Sequence, residues 1–181
     1  MQKILLPILL FFPAFLFAQK ITLPLDSTTN LVTYQEVVKV DSASKDELYL
    51  RAREWFTKTF NSPQDFIEIE DKRAGKIIGK RSSLESYKYM MTTINFHLNY
   101  TISVTTKDNR YKYEISSFSV NWYVIDQGNE LSFPLEMYNT SYNKGRGTDY
   151  STAKRIIPQV DVIAQGLIKG LKSALKQSTA W

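Results

Sequence analysis

The chain contains no cysteine and a single histidine, and its charges never gather into a long run of one sign. Without thiols there is no disulfide staple, no thiolate metal site and no cysteine nucleophile, so apolar burial has to hold the fold. The lone histidine, His97, excludes a histidine metal cluster. Its strand neighbours Asn95 and Asn99 are amides rather than carboxylates, which argues against a Ser-His-Asp relay. No metal and no cofactor is expected. The 23 basic and 18 acidic residues are interspersed over 181 positions, and the net charge of +5 reads as a solvated surface with weak attraction to anionic envelope surfaces.

Long apolar runs are also missing, with one exception. Lys3 precedes an apolar stretch from Ile4 to Phe17 that ends in Phe17-Ala18-Gln19. A basic start, a short apolar stretch and a small residue at the cut make residues 1–18 an export signal, with the mature chain starting at Gln19 in a periplasmic or secreted location. A membrane anchor would need roughly 20 apolar residues. This run is shorter and carries Pro7 and Pro13, so no transmembrane segment is expected after cleavage, and a lipid anchor would need the missing cysteine. Export sets aside cytoplasmic ATP and nucleic acid as partners.

What the chain does have is periodicity. Residues 19–33, rich in Thr, Ser and Asn, show none and read as a loose N-terminal arm. A core domain over 34–126 begins with the β-branched segment Tyr34–Val40. Ser44 and Glu47 make a capping box for a helix whose Leu48, Ala52, Trp55, Phe56 and Phe60 share one face, and Asn61-Ser62-Pro63 ends it. Phe66–Glu70 and Lys76–Lys80 form a hairpin across Asp71–Gly75, followed by a polar loop at Ser82–Ser86. From Tyr87 to Thr106 the even positions carry Met90, Ile94, Phe96, Leu98, Tyr100, Ile102 and Val104, and the odd positions carry Thr93, Asn95, His97, Asn99, Thr101 and Ser103. This period of two predicts one packed face and one wet face.

Asp108-Asn109 predicts a two-residue turn that sets Val104 opposite Tyr113 and Ile102 opposite Ile115. Beyond Ile115 the parity fails, because Phe118, Val120, Trp122 and Val124 are even. One extra residue at Ser116 or Ser117, a β-bulge, returns them to the core. Residues 127–150 read as irregular loop or one edge strand. A C-terminal unit, 151–181, carries a helix from about Pro158 to Lys176, with Ser151 as the alternative, earlier start, and an apolar stripe from Val160 to Leu175. Gly166 and Gly170 inside it suggest close packing on the sheet. The expected fold is α+β, β-α-β-β-β-β-α, one antiparallel sheet with two helices on one face.

Several blocks resemble a bacterial family of exported domains of unknown function, found mainly in Bacteroidetes. They are Tyr34-x-Glu36-Val37-Val38-x-Val40, Lys45–Tyr49 with Arg51-Ala52 and Trp55-Phe56, Ile67-x-Ile69-Glu70-Asp71 with Gly75-x-Ile77–Lys80, and Asp108-x-Arg110–Tyr113. The resemblance implies a TATA-box-binding-protein-like fold. It implies no activity and no site residue.

The candidate site is the polar sheet face: Thr93, Asn95, His97, Asn99, Thr101 and Ser103, with Lys112, Glu114 and Tyr123 nearby. Hydroxyls, amides and an aromatic ring suit hydrogen bonding and stacking on a glycan or a peptide, and the expected role is non-enzymatic binding or scaffolding of an envelope protein or glycan. The alternative is a hydrolase that uses Glu68 and Glu70, which strand alternation sets on one face beside Asp71. Lys72, Arg73, Lys76, Lys80 and Arg81 lie near enough to neutralise that cluster. Asn143–Asp149 lacks the Gly-Lys-Ser/Thr ending of a phosphate loop. Asn99-Tyr-Thr101 and Asn139-Thr-Ser141 match the glycosylation pattern.

Overall fold

The computed structural model describes residues 21–60, 66–124 and 129–176. The expected export signal, the helix end at Asn61–Pro63 and the last five residues lie outside them. Among the described residues nine elements follow in order: β1 (Tyr34–Lys39), α1 (Lys45–Thr59), β2 (Ile67–Asp71), β3 (Lys76–Tyr89), β4 (Thr92–Lys107), β5 (Arg110–Val124), β6 (Asn129–Pro134), α2 (Leu135–Lys144) and α3 (Tyr150–Lys176). One antiparallel sheet runs β1-β5-β4-β3-β2, with β6 also on β5. The α+β class and the single antiparallel sheet hold, and the order gains a strand and a helix after β5.

β4 carries the core. Phe96, Leu98, Tyr100, Ile102 and Val104 are buried, and across the strand Tyr113 and Ile115 stand opposite Val104 and Ile102 as counted from the turn. The register shifts between Asn99 and Thr101, and Ser117 adopts φ 57°. The predicted bulge is therefore at Ser117, and behind it Phe118 and Val120 are buried and Trp122 packs on the core. The side chain of Val124 lies outside the described residues. The bulge also divides β5 between two partners. Residues 110–115 pair with β1 and residues 119–124 with β6, so both short strands share one edge of β5.

Other expectations are corrected. Ser82–Ser86 is not a loop: β3 pairs with β4 without interruption from Lys76↔Thr105 to Tyr89↔Thr92. Ladder bonds to β4 satisfy this polar segment whatever its side chains, which is why composition misled. The apolar signal from Tyr87 onward is two strands joined at Met90-Met91, and Met90 is exposed rather than buried. Where irregular loop or one edge strand was expected, β6 supplies the edge strand and α2, whose Leu135 and Tyr138 are buried, takes the place of loop. Gly145, at φ 67°, ends α2 in the left-handed conformation, so the glycines there serve a helix-to-helix turn. Helix α3 starts at Tyr150 and runs through Pro158, burying Ala153, Ile156 and Ile157 ahead of the expected stripe. The arm is not loose. Leu23 and Val32 are buried, Leu25 bridges to Val32, and the Asp26 carboxylate accepts from the N–H groups of Thr28 and Thr29.

Helix α1 is fastened at its start and at its middle. The Ser44 hydroxyl accepts from the N–H of Glu47, but the return bond of the capping box is replaced. Glu47 pairs with Arg51, and the N–H of Lys45 donates to Asp108 of the β4–β5 turn at 2.8 Å. Arg51, 8% exposed, donates to the carbonyl oxygen of Leu175 at 2.8 Å, a cation at the negative end of α3. Gly170 lets α3 approach α1, since an added Cβ would lie 3.2 Å from the Trp55 indole nitrogen. Gly166 has open space around it, so close packing explains only the first. Among the described residues no helix is long and apolar enough to cross a membrane.

Candidate functional site

The sheet has two faces of different kind. One packs on the helices. The other is set by the odd residues of β4 and, through the register, by the even residues of β3 and of β5 before the bulge, and by its odd residues after it. On this second face Thr93 and Asn95 are exposed and Asn99, Thr101 and Ser103 half-exposed, while Tyr123 is 64% exposed. Among the described residues after β5, β6 extends the sheet edge and α2 packs against α3, so neither folds over the face.

At one end the polar side chains form a connected network. His97 Nδ1 lies 3.0 Å from Glu130 Oε1 of β6, and the Asn121 amide donates to Glu130 Oε2 at 3.2 Å. The Asn121 carbonyl oxygen accepts from Ser132 at 2.8 Å and from Ser119 at 3.3 Å, and the Ser119 hydroxyl accepts from the Asn99 amide at 3.2 Å. Five positions are thus ordered around Asn121 before any ligand arrives. Tyr123 faces Glu130 in the β5–β6 register. The sequence reading saw amides beside His97 and no acid, but pairing with β6 supplies Glu130. Among the described residues no serine hydroxyl is bonded to the other ring nitrogen, and the arrangement is a His–Glu pair.

Of the residues named from sequence, Asn95, His97, Asn99 and Tyr123 come together at this end. Thr93 stands near the β3–β4 tip, opposite Lys88, and Thr101 and Ser103 lie farther along, opposite Ser116 and Glu114. Glu130, Ser132, Ser119 and Asn121 were missed. The alternation of Glu130 and Ser132 with Leu131 and Phe133 was the signal that could have found the first two.

The opposite end of the same face is basic. Across the strands Lys39, Arg110 and Lys107 form one row and Val37, Lys112, Thr105 and Lys76 the next. Val37, Thr105, Lys107, Arg110 and Lys112 line a shallow cavity of about 310 Å³. Lys112 reaches Glu114 at 3.3 Å, whereas Lys39, Lys76, Lys107 and Arg110 have no ion pair among the described residues. Thr105 lies eight steps along β4 from His97, about 26 Å at roughly 3.3 Å per residue.

The acidic hairpin is arranged otherwise than alternation implied. The β2–β3 register shifts between Ile67 and Ile69, so the two carboxylates part. Glu68 pairs with Lys80 at 3.0 Å. Glu70 pairs with Arg53 of α1 and accepts from the Tyr49 hydroxyl at 3.2 Å, whose titration burial and the Glu70 charge push up to about 12. Two carboxylates tied to separate cations do not form the facing pair that glycoside hydrolysis needs. Asn139 is 4% exposed and bonded to Asn143, which leaves its glycosylation pattern without an accessible acceptor.

The family described as a domain of unknown function (DUF4468) with TBP-like fold matches residues 34–121. This chain carries a domain of that family. The match ends at Asn121, within the polar network, so Glu130 and Ser132 stand outside the matched span. No curated protein matches the sequence. Two solved structures share the fold. The crystal structure of a DUF4468 family protein from Bacteroides ovatus aligns with a TM-score of 0.67 and 14% identity over 87% of this chain and 93% of its own. The TBP-like protein from Parabacteroides distasonis aligns with a TM-score of 0.54 and 18% identity over 78% of this chain and 93% of its own. At these identities the likeness concerns the fold alone. It reaches beyond the matched domain.

Proposed function

We propose that the chain is a non-enzymatic binding module of the bacterial envelope that takes an extended anionic glycan along its open sheet face. The observation that carries this reading is the division of that face into an ordered hydroxyl and amide network around Asn121 at one end and a cluster of cations at the other, of which only Lys112 has an ion pair among the described residues. The network offers donors and acceptors already fixed in direction, which lowers the ordering cost of binding. Tyr123 offers an exposed ring for stacking on a sugar face. Lys107, Arg110 and Lys112 supply the attraction for carboxylate or sulfate groups.

The test is titration calorimetry with a panel of neutral, uronic-acid and sulfated oligosaccharides. Acidic members should bind, with affinity falling as salt rises. Asn121→Ala should weaken every binder, and Arg110→Ala with Lys112→Ala should weaken only the acidic ones. Binding that neither variant alters, or binding by no member, would refute the reading. Turnover of any glycan that disappears on His97→Ala or Glu70→Gln would refute its non-enzymatic part.

A further inference from the structure

The hairpin joining β3 to β4 ends in Met90-Met91, and these are the most exposed large apolar residues described, at 86% and 104%. Tyr89↔Thr92 closes the ladder, so the turn has two residues, and Met90 adopts φ 52°. A side chain with a Cβ reaches that left-handed region at a cost, and two-residue hairpins favour Gly, Asn or Asp there. The fold thus gains nothing from methionine at either position. Both thioethers stand in solvent at the tip of strands 14 and 16 residues long. An uncompensated apolar tip in an unfavourable backbone conformation points to a contact outside the chain.

The surroundings select its chemistry. Tyr89, directly behind the tip, is 41% exposed. The Arg155 guanidinium lies 4.9 Å from the Tyr89 ring centre, and its Nε donates to the Lys88 carbonyl oxygen at 3.4 Å. Lys88 is exposed, and Lys154 sits over the Tyr150 ring at 5.6 Å. None of the three cations has an ion pair among the described residues. Back from the tip, apolar wedge, aromatic ring and the cations Lys88 of β3 and Arg155 of α3 follow one another in the order in which a bilayer presents acyl chains, interface and anionic headgroups. An apolar pocket on a partner protein would account for the methionines but not for the cations. We propose that the Met90-Met91 tip inserts into an anionic lipid surface, with Tyr89 at the interface and Lys88 and Arg155 at the headgroups.

Co-sedimentation with sucrose-loaded vesicles tests this, comparing pure phosphatidylcholine with phosphatidylcholine containing about a third phosphatidylglycerol. The full chain should bind the anionic vesicles and much less the neutral ones. Met90→Gly with Met91→Ser should lower that binding roughly tenfold or more. The same variant should melt at an equal or higher temperature, because glycine suits the turn, so loss of binding cannot be blamed on misfolding. Lys88→Ala with Arg155→Ala should reduce the preference for anionic vesicles. Binding by the tip variant equal to that of the unaltered chain overturns the proposal, and so does equal binding to both vesicle types. Self-association that the tip variant abolishes, without vesicle binding by the unaltered chain, also overturns it and makes the tip a contact between copies.

Discussion

Gly79 is the position where one methyl group should do most harm. In β3 it stands opposite Ile102 on one side and Ile67 on the other. A Cβ added there would lie 2.2 Å from Cε1 of Phe66 and 2.6 Å from its Cδ1 and Cζ. Carbon atoms in contact sit about 3.5–4.0 Å apart, so the ring would have to retreat by more than about 1 Å. It has nowhere to go. Phe66 is 3% exposed, stacks on Phe60 with ring centres 3.9 Å apart and leans on Phe56 at 5.6 Å. Overpacking a core costs about 1–3 kcal/mol, and losing a buried Phe altogether about 3–5. Gly79→Ala should therefore destabilise the chain by about 3 kcal/mol, at the boundary of the two regimes. Phe66→Ala alone should cost a similar amount. In the double variant the methyl enters the space the ring has left, so the losses should fail to add by about 2 kcal/mol or more. Urea unfolding followed by tryptophan fluorescence measures all four proteins, Trp55 being part of the same cluster. A cost below about 0.5 kcal/mol for Gly79→Ala, or simple additivity, would refute the claim that glycine is there to admit the ring.

Three further outcomes are expected. Gly166→Ala, into open space within α3, should stabilise by about 0.5–1 kcal/mol, whereas Gly170→Ala should lose that gain against Trp55; thermal melting of both variants separates them. Ser44→Ala should cost about 1 kcal/mol through the lost cap, and Asp108→Ala a comparable amount through the N–H of Lys45, both read by chemical denaturation. Lys172 beside Glu36 and the Tyr113 hydroxyl hold the Glu36 carboxyl below its usual 4.5 despite partial desolvation. A carboxyl depressed in the folded state contributes stability above its unfolded value and loses it as pH falls through the folded one. Glu36→Gln should thus be less stable than the parent at pH 7, with the gap closing in acid below about pH 4. A gap that stays constant with pH would count against the pairing.

Much of the architecture was legible because it rests on local periodicity. The alternation of β4, the stripe of α1 from Leu48 to Phe60 and the Asp108-Asn109 turn each state a geometry within a few residues. The bulge at Ser117 was legible for the same reason, as a break in parity that only an inserted residue repairs. Ser82–Ser86 and Asn129–Pro134 were not, because their strand state comes from neighbours that lend them hydrogen bonds. The polar face was half legible. Asn95, His97 and Asn99 follow from counting along one strand, but Glu130 reaches His97 only because β6 docks on β5.

Sequence by itself determined the absence of thiol chemistry, the class of fold, the core faces of α1, β4 and β5, and the register of the central hairpin, since each depends on composition or on spacing along one or two adjacent segments. Tertiary structure alone decided what meets across the sheet: the parting of Glu68 from Glu70, the seat of Phe66 over Gly79, and the separation of the open face into a polar and a basic end. Those are relations between residues distant in the chain. Pairing of β1 and β6 on either side of one bulge, and of β2 on the far edge, creates them, and no period within a segment encodes such pairing.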